Sequence, residues 1–217
     1  MDRVNLADDP TLTPIHRRTY DVQAFKRSDT EIVLQGSVQD VKPPGLYIED
    51  DPDSLTIHHM IVTLTVTFPA LVITSATVEF AEHPHQTCPN VVAHYGELVG
   101  LSIARGFTHK VRELFGGPRG CTHTTALLQA MAPVAVQCNW SMQLAKLRES
   151  GGTMPTIDPE RRLAMAMRNV NTCHVWAEDG DHVAAMTSGE TTPVPINVTR
   201  RMIELGRKPE SWLSPNR

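Results

Sequence analysis

The chain reads as an α+β protein, an antiparallel sheet packed by helices on one side. Three stretches predict this. Residues 58–68 alternate without a break: His58, Met60, Val62, Leu64, Val66 and Phe68 share one face, and His59, Ile61, Thr63, Thr65 and Thr67 share the other. Period two with β-branched residues marks a half-buried strand. Pro69 and Ala70 turn the chain into a second apolar run, Leu71 to Ala81, which returns beside the first as its antiparallel neighbour. From about Thr122 to Arg148 the chain reads as one long helix. Pro133 in its interior predicts a kink, because proline removes a backbone donor and its ring crowds the preceding turn.

The remaining elements follow in order. Residues 1–15, polar and broken by Pro10 and Pro14, form an extended arm. Arg18 to Asp40 is a β-hairpin: Val22, Ala24 and Phe25 precede the turn-like Arg27-Ser28-Asp29, and Ile32, Val33 and Leu34 follow it. Residues 41–55 are a loop whose acidic cluster, Glu49 to Asp53, is a solvated charge run. After the loop His83 to Pro89, a short helix over Val91–Leu98 puts Val91, Val92, Tyr95 and Leu98 on one side. Phe107, Val111, Leu114 and Phe115 predict a second short helix, stopped by Gly116-Gly117-Pro118. Residues 149–160 are a Gly/Pro linker, and Arg161 to Met167 a short helix. Thr172–Trp176 and His182–Met186, joined at Glu178-Asp179-Gly180, predict a terminal hairpin. Residues 187–199 read as loop and Arg200–Leu205 as a last helical turn or two. The predicted organisation is therefore an arm (1–15), one α+β domain (16–186) and a C-terminal tail (187–217).

A chain of 217 residues buries a sizeable core without staples. Its net charge of −4, with no Lys/Arg-rich run, disfavours a nucleic-acid surface. No apolar run approaches a bilayer span, and the acidic start is unlike a secretory signal, so a cytoplasmic location is expected. In that compartment Cys88, Cys121, Cys138 and Cys173 stay reduced. Four free thiols beside ten histidines make a metal site worth testing. The arm and tail are long enough to wrap a neighbour in a homodimer.

The sharpest local feature is Gly117-Pro118-Arg119-Gly120-Cys121-Thr122-His123, which puts a thiol and an imidazole where the long helix begins. A helix N-terminus carries partial positive charge and unpaired N–H groups, so a thiolate at Cys121 is stabilised there. That suits a metal ligand or a nucleophile; a packed interior thiol is the alternative. His58 lies on the apolar face of its strand, and an inward histidine needs a polar partner or a metal. If the two central strands pair, the start of the first lies beside the end of the second, which brings His58 near Cys88 in the loop beyond. His58, Cys88, Cys121 and His123 then make a nitrogen and sulfur donor set that suits zinc, or another transition metal such as iron. His59 and His123 are candidate proton shuttles, and Arg119 a candidate anchor for a carboxylate or phenolate. Of Cys173 and His174, adjacent on the predicted strand, only one can face a given site. Cys138 belongs in the core; His85, His94, His109 and His182 belong on the surface.

These residues carry a resemblance. His16-Arg17-Arg18, Ile57-His58-His59-Met60, Cys88-Pro89, Leu98-Val99-Gly100-Leu101, Gly106-Phe107 and Gly120-Cys121-Thr122-His123, with the later Cys173-His174, resemble an uncharacterised bacterial domain family with a Gly-Cys-Thr-His signature, over about residues 16–185. His59 departs from that pattern, standing where an aspartate is expected. The resemblance implies a part in the breakdown of aromatic or acyl compounds, with a carbon–carbon lyase on an aromatic substrate as one specific form. The order of strands, short helices and a long helix opening on cysteine is also similar to NifU-like iron–sulfur scaffold proteins, which implies ligands at His58, Cys88 and Cys121. Three functions are therefore weighed. The first is a metal-dependent lyase or hydrolase acting on a small organic molecule. The second is a metal or iron–sulfur carrier. The third is a metal-free enzyme with Cys121 as nucleophile and His123 or His58 as its base.

Overall fold

A computed structural model describes residues 9–188 and 194–213. The first eight residues of the predicted arm, and residues 189–193 and 214–217 of the predicted tail, lie outside the described residues. The chain forms two compact units, residues 1–142 and 143–217, and the division falls inside the long helix.

The first unit holds the α+β fold that the alternation predicts. Strands β1 (Arg17–Ser28), β2 (Glu31–Lys42), β3 (Leu55–Thr67) and β4 (Ile73–Glu82) form one sheet in the order β1-β2-β3-β4, each antiparallel to the next. The short helix expected over Val91–Leu98 forms as a 3-10 helix, Cys88–Leu98, and buries Tyr95 and Leu98. Helix α1 (Phe107–Phe115) buries Phe107, Val111 and Phe115, residues four apart on one side.

Helix α2 (Thr122–Glu149) runs without interruption through Pro133. Its buried residues within the first unit, Thr124, Leu127, Leu128, Met131, Ala135, Cys138 and Met142, recur at helical spacing. They pack on the inner face of the sheet, where Ile32, Leu34 and Val38 of β2 and Met60, Val62, Leu64 and Val66 of β3 are at most 1% exposed. Burying a leucine such as Leu127 or Leu128 contributes about 1.5–3 kcal/mol. The opposite face of the sheet, with Gln35, Ser37, His59 and Thr63, is half-buried or exposed.

Gly36 decides how closely α2 approaches. It sits among the inward residues of β2, and a Cβ there would lie 2.8 Å from Met131 Sδ and 3.1 Å from Leu127 Cδ1. The missing side chain lets the helix rest directly on the strand backbone.

In the second unit, α3 (Pro159–Ala166) is capped by Asp158, whose carboxylate accepts from Arg161 N–H. The predicted terminal hairpin does not form. His174–Trp176 is a 3-10 turn, and α4 (Asp181–Thr187) is helical, burying Val183 and Met186 at a spacing of three. Five residues of mixed pattern fit either period, and here the helical one wins. Residues 196–199, expected as loop, open α5 (Ile196–Glu204). Among the described residues no helix is long and apolar enough to cross a membrane.

Gly36→Val tests the close approach of α2 to β2. It should lower stability by about 1–3 kcal/mol through overpacking against Met131 and Leu127. An unchanged urea midpoint would show that the helix has room to shift.

Candidate metal centre

The site lies in the first unit and is built by the register of the sheet. Arg18 of β1 stands opposite Asp40 of β2, and Asp40 stands opposite His58 of β3, so the three form one row across neighbouring strands. Asp40 continues the inward series Ile32, Leu34, Gly36 and Val38, which carries its side chain to the buried face at 3% exposure. A buried carboxylate needs compensation, and Arg18 supplies it: Nε donates to Oδ1 and Nη2 to Oδ2, both at 2.6 Å. This paired, charge-assisted geometry is the strong form of such a contact. The Arg18 guanidinium holds the Asp40 carboxyl far below its ordinary range, against the opposing effect of burial.

The fourth side chain arrives from α2, whose start is held in place by several contacts. The Tyr95 hydroxyl, 1% exposed and tilted against Phe115, accepts the N–H of Cys121 at 2.8 Å. The Thr125 hydroxyl donates to the Phe115 carbonyl at 3.2 Å. Gly120 permits the tight passage, since a Cβ there would run into the Phe115 carbonyl oxygen. His123, in the first turn, therefore reaches down to the strand row.

His123 Nε2 lies 3.0 Å from Asp40 Oδ2, and His58 Nδ1 lies 3.3 Å from the same oxygen. The two imidazoles stack, with centroids 3.9 Å apart and planes at 27°. His16 Nε2 approaches the other oxygen, Oδ1, at 3.4 Å. His58 Nδ1, although 3.3 Å from Asp40 Oδ2, is buried and makes no hydrogen bond among the described residues. Burial holds both His58 and His123 below their ordinary value of 6.5, and for His123 the neighbouring His58 adds to the effect. Both shifts favour the neutral imidazole, the form that binds a metal.

One donor atom from each of Asp40, His58 and His123 lies within 4.8 Å of the other two. An ion bound at about 2.1 Å separates its ligand atoms by about 3.0 Å at right angles and about 3.4 Å at the tetrahedral angle. The 3.0 and 3.3 Å separations fall in that interval. This residue set can hold a metal ion.

The predicted site residues divide. His58 and His123 come together as expected, with Asp40 and Arg18 as partners that the sequence reading passed over. The alternation of β2 was the available signal: an aspartate two residues beyond Val38 had to point inward. Cys121 lies at the margin, with Sγ 3.7 Å from His123 Nδ1. Cys88, half-buried at the start of its 3-10 segment, is not part of the grouping. His59 faces the other side of the sheet, because neighbouring strand residues alternate, and is removed from the cluster it was expected to serve. Arg119 is exposed and donates to the Glu113 and Arg112 carbonyls at the end of α1, so its guanidinium closes a helix. Arg18 is the arginine at the cluster. Cys138 is buried in the core, and burial pushes its thiol up. Cys173 and His174 are exposed residues of the second unit.

A family model described as a protein of unknown function (DUF2889) matches residues 16–137. The match begins where the predicted arm ends and takes in every residue of the cluster. No curated protein and no solved structure matches the chain.

The titrations give a signed expectation. His58 and His123 have folded values below 6.5, so the unfolded chain takes up protons first as the pH falls. The stability tied to their neutral forms is complete above about pH 6.5 and declines below it. Asp40, also lowered, adds a second loss below its ordinary value of 3.8. The urea midpoint should therefore drop between pH 7.5 and pH 5, and drop less in His58→Gln and His123→Gln. An equal slope in wild type and both variants would assign the acid sensitivity to other groups.

Proposed function

The chain belongs to the DUF2889 family, and we propose that it is a metal-dependent enzyme acting on a small organic substrate at Asp40, His58 and His123. The observation that carries this reading is the buried, unpartnered Nδ1 of His58 beside a carboxylate and a second neutral imidazole. Two histidines and one carboxylate suit zinc or iron(II), and three protein ligands leave coordination positions open. A metal held there supplies Lewis acidity toward a carbonyl or alkoxide, or a more acidic water, as lyase or hydrolase chemistry requires.

The chain's own groups have separate tasks. Arg18 orients Asp40 through both oxygens, so the carboxylate presents one fixed edge. His123 would bind through Nε2, leaving Nδ1 toward Cys121, an outer contact of the kind that sets the orientation of a ligating imidazole. A carrier of iron–sulfur clusters is less well supported, because such clusters are held mainly by thiolates and none of the three grouped donors is sulfur.

One observation favours a second reading. Cys121 Sγ, His123 and Asp40 form a chain of contacts at 3.7 and 3.0 Å, the order of a thiol, its base and the carboxylate that orients the base. In that reading Cys121 is a nucleophile and no metal is needed.

Elemental analysis of purified protein separates the two. Wild type and Cys121→Ser should both hold near-stoichiometric zinc or iron, and Asp40→Ala, His58→Ala and His123→Ala should lose it. Loss in Cys121→Ser with retention in Asp40→Ala would restore the thiol as a ligand. Metal-free wild type whose Cys121 is rapidly alkylated would instead support the nucleophile.

A further inference from the structure

The charge balance of the site, taken with the metal reading on which this inference rests, points to the ligand it accepts. A divalent ion at Asp40, His58 and His123 would be bound by two neutral imidazoles and one carboxylate. That carboxylate is already neutralised: Arg18 contacts both its oxygens at 2.6 Å. His16, 3.4 Å from Oδ1, adds no negative charge. Even a Cys121 thiolate would offset only half the charge of the ion. The bound ion and the groups touching it would therefore carry a net positive charge, with coordination positions open.

A second observation concerns the surroundings. The loop between β2 and β3 leaves the sheet two residues after Asp40 and returns three residues before His58. On it Leu46, Tyr47 and Ile48 are 48%, 60% and 55% exposed, three consecutive large apolar side chains at the strand ends that carry the site. The Tyr47 ring rests on Lys42, its centroid 5.2 Å from Nζ. Ile15, 67% exposed, directly precedes His16. Contiguous exposed apolar surface ordinarily marks a binding site, and residues 46–48 are consecutive on the loop.

We propose that the site accepts an amphipathic organic carboxylate, whose oxygens complete the metal shell and answer the unbalanced charge while its apolar body lies toward the 46–48 loop. A carboxylate is ionised at neutral pH without assistance, whereas a phenol, ionising near pH 10, is not.

Cobalt(II) in the full-length protein provides a spectroscopic test that needs no activity. Visible d–d bands should appear on loading. Benzoate should shift them, acetate should do so about tenfold more weakly, and the isosteric neutral benzamide should leave them unchanged. Arg18→Gln, which returns the full Asp40 charge to the ion, should weaken benzoate by about tenfold; Arg18→Lys, which keeps the charge, should stay within about threefold of wild type. Ile48→Ser should weaken benzoate and leave acetate unaffected. Cobalt bands that benzoate does not move, or that benzamide moves equally, would overturn the carboxylate assignment and leave the metal site standing. Protein that takes up no cobalt would overturn both.

Discussion

A carboxylate that is 97% removed from solvent is unstable unless something meets its charge, and at Asp40 that is Arg18 through both oxygens. The rest of the cluster depends on this pair. With the carboxylate held ionised and in one orientation, two neutral imidazoles can stack above the same oxygen without competing to protonate it. With neither Arg18 nor a bound cation beside it, a buried Asp40 would tend to take up a proton.

The pair is placed by the sheet. Antiparallel register puts Arg18, Asp40 and His58 in one transverse row, so three residues far apart in sequence become lateral neighbours without any loop having to hold them. His123 needs different support, because it hangs from a helix end. The Tyr95 hydroxyl on the Cys121 N–H, the Thr125 hydroxyl on the Phe115 carbonyl and the bare backbone of Gly120 pin that end. Gly36 then sets the height of the helix over the strands. A rigid sheet row and a braced helix terminus are a sound base for a site that has to hold donors to within a fraction of an ångström.

The proposed reading, chemistry on a ligand and not simple metal storage, rests on the same construction. Its donors come from strands and a helix that cannot all yield at once, yet Arg18 and His16 are about one third exposed. One side is therefore fixed and the other open to solvent. Arg18 both secures the carboxylate and cancels its charge, so on the proposed reading a bound cation would be short of an anionic partner.

Much of the frame was legible in the residues themselves. The alternation of 58–68, its return over 71–81 and the breaks at Gly116-Gly117-Pro118 are local signals, and local signals report the period of each element and the face each side chain takes. By themselves they set His58 inward, His59 outward and His123 at a helix start. The alternation also contained Asp40, unrecognised because an aspartate near a strand end usually faces water. What only the tertiary structure decided is which inward residues meet. Register chose Arg18 over Arg119 and Asp40 over Cys88, and the packing height of α2 brought His123, with Cys121 at its side, onto the strand row. The short segments 172–176 and 181–187 show the same limit from the other direction: where a pattern is too brief to separate two periods, the contacts available in the folded unit choose. Distances between elements are set by long-range packing, and no single stretch of sequence encodes them.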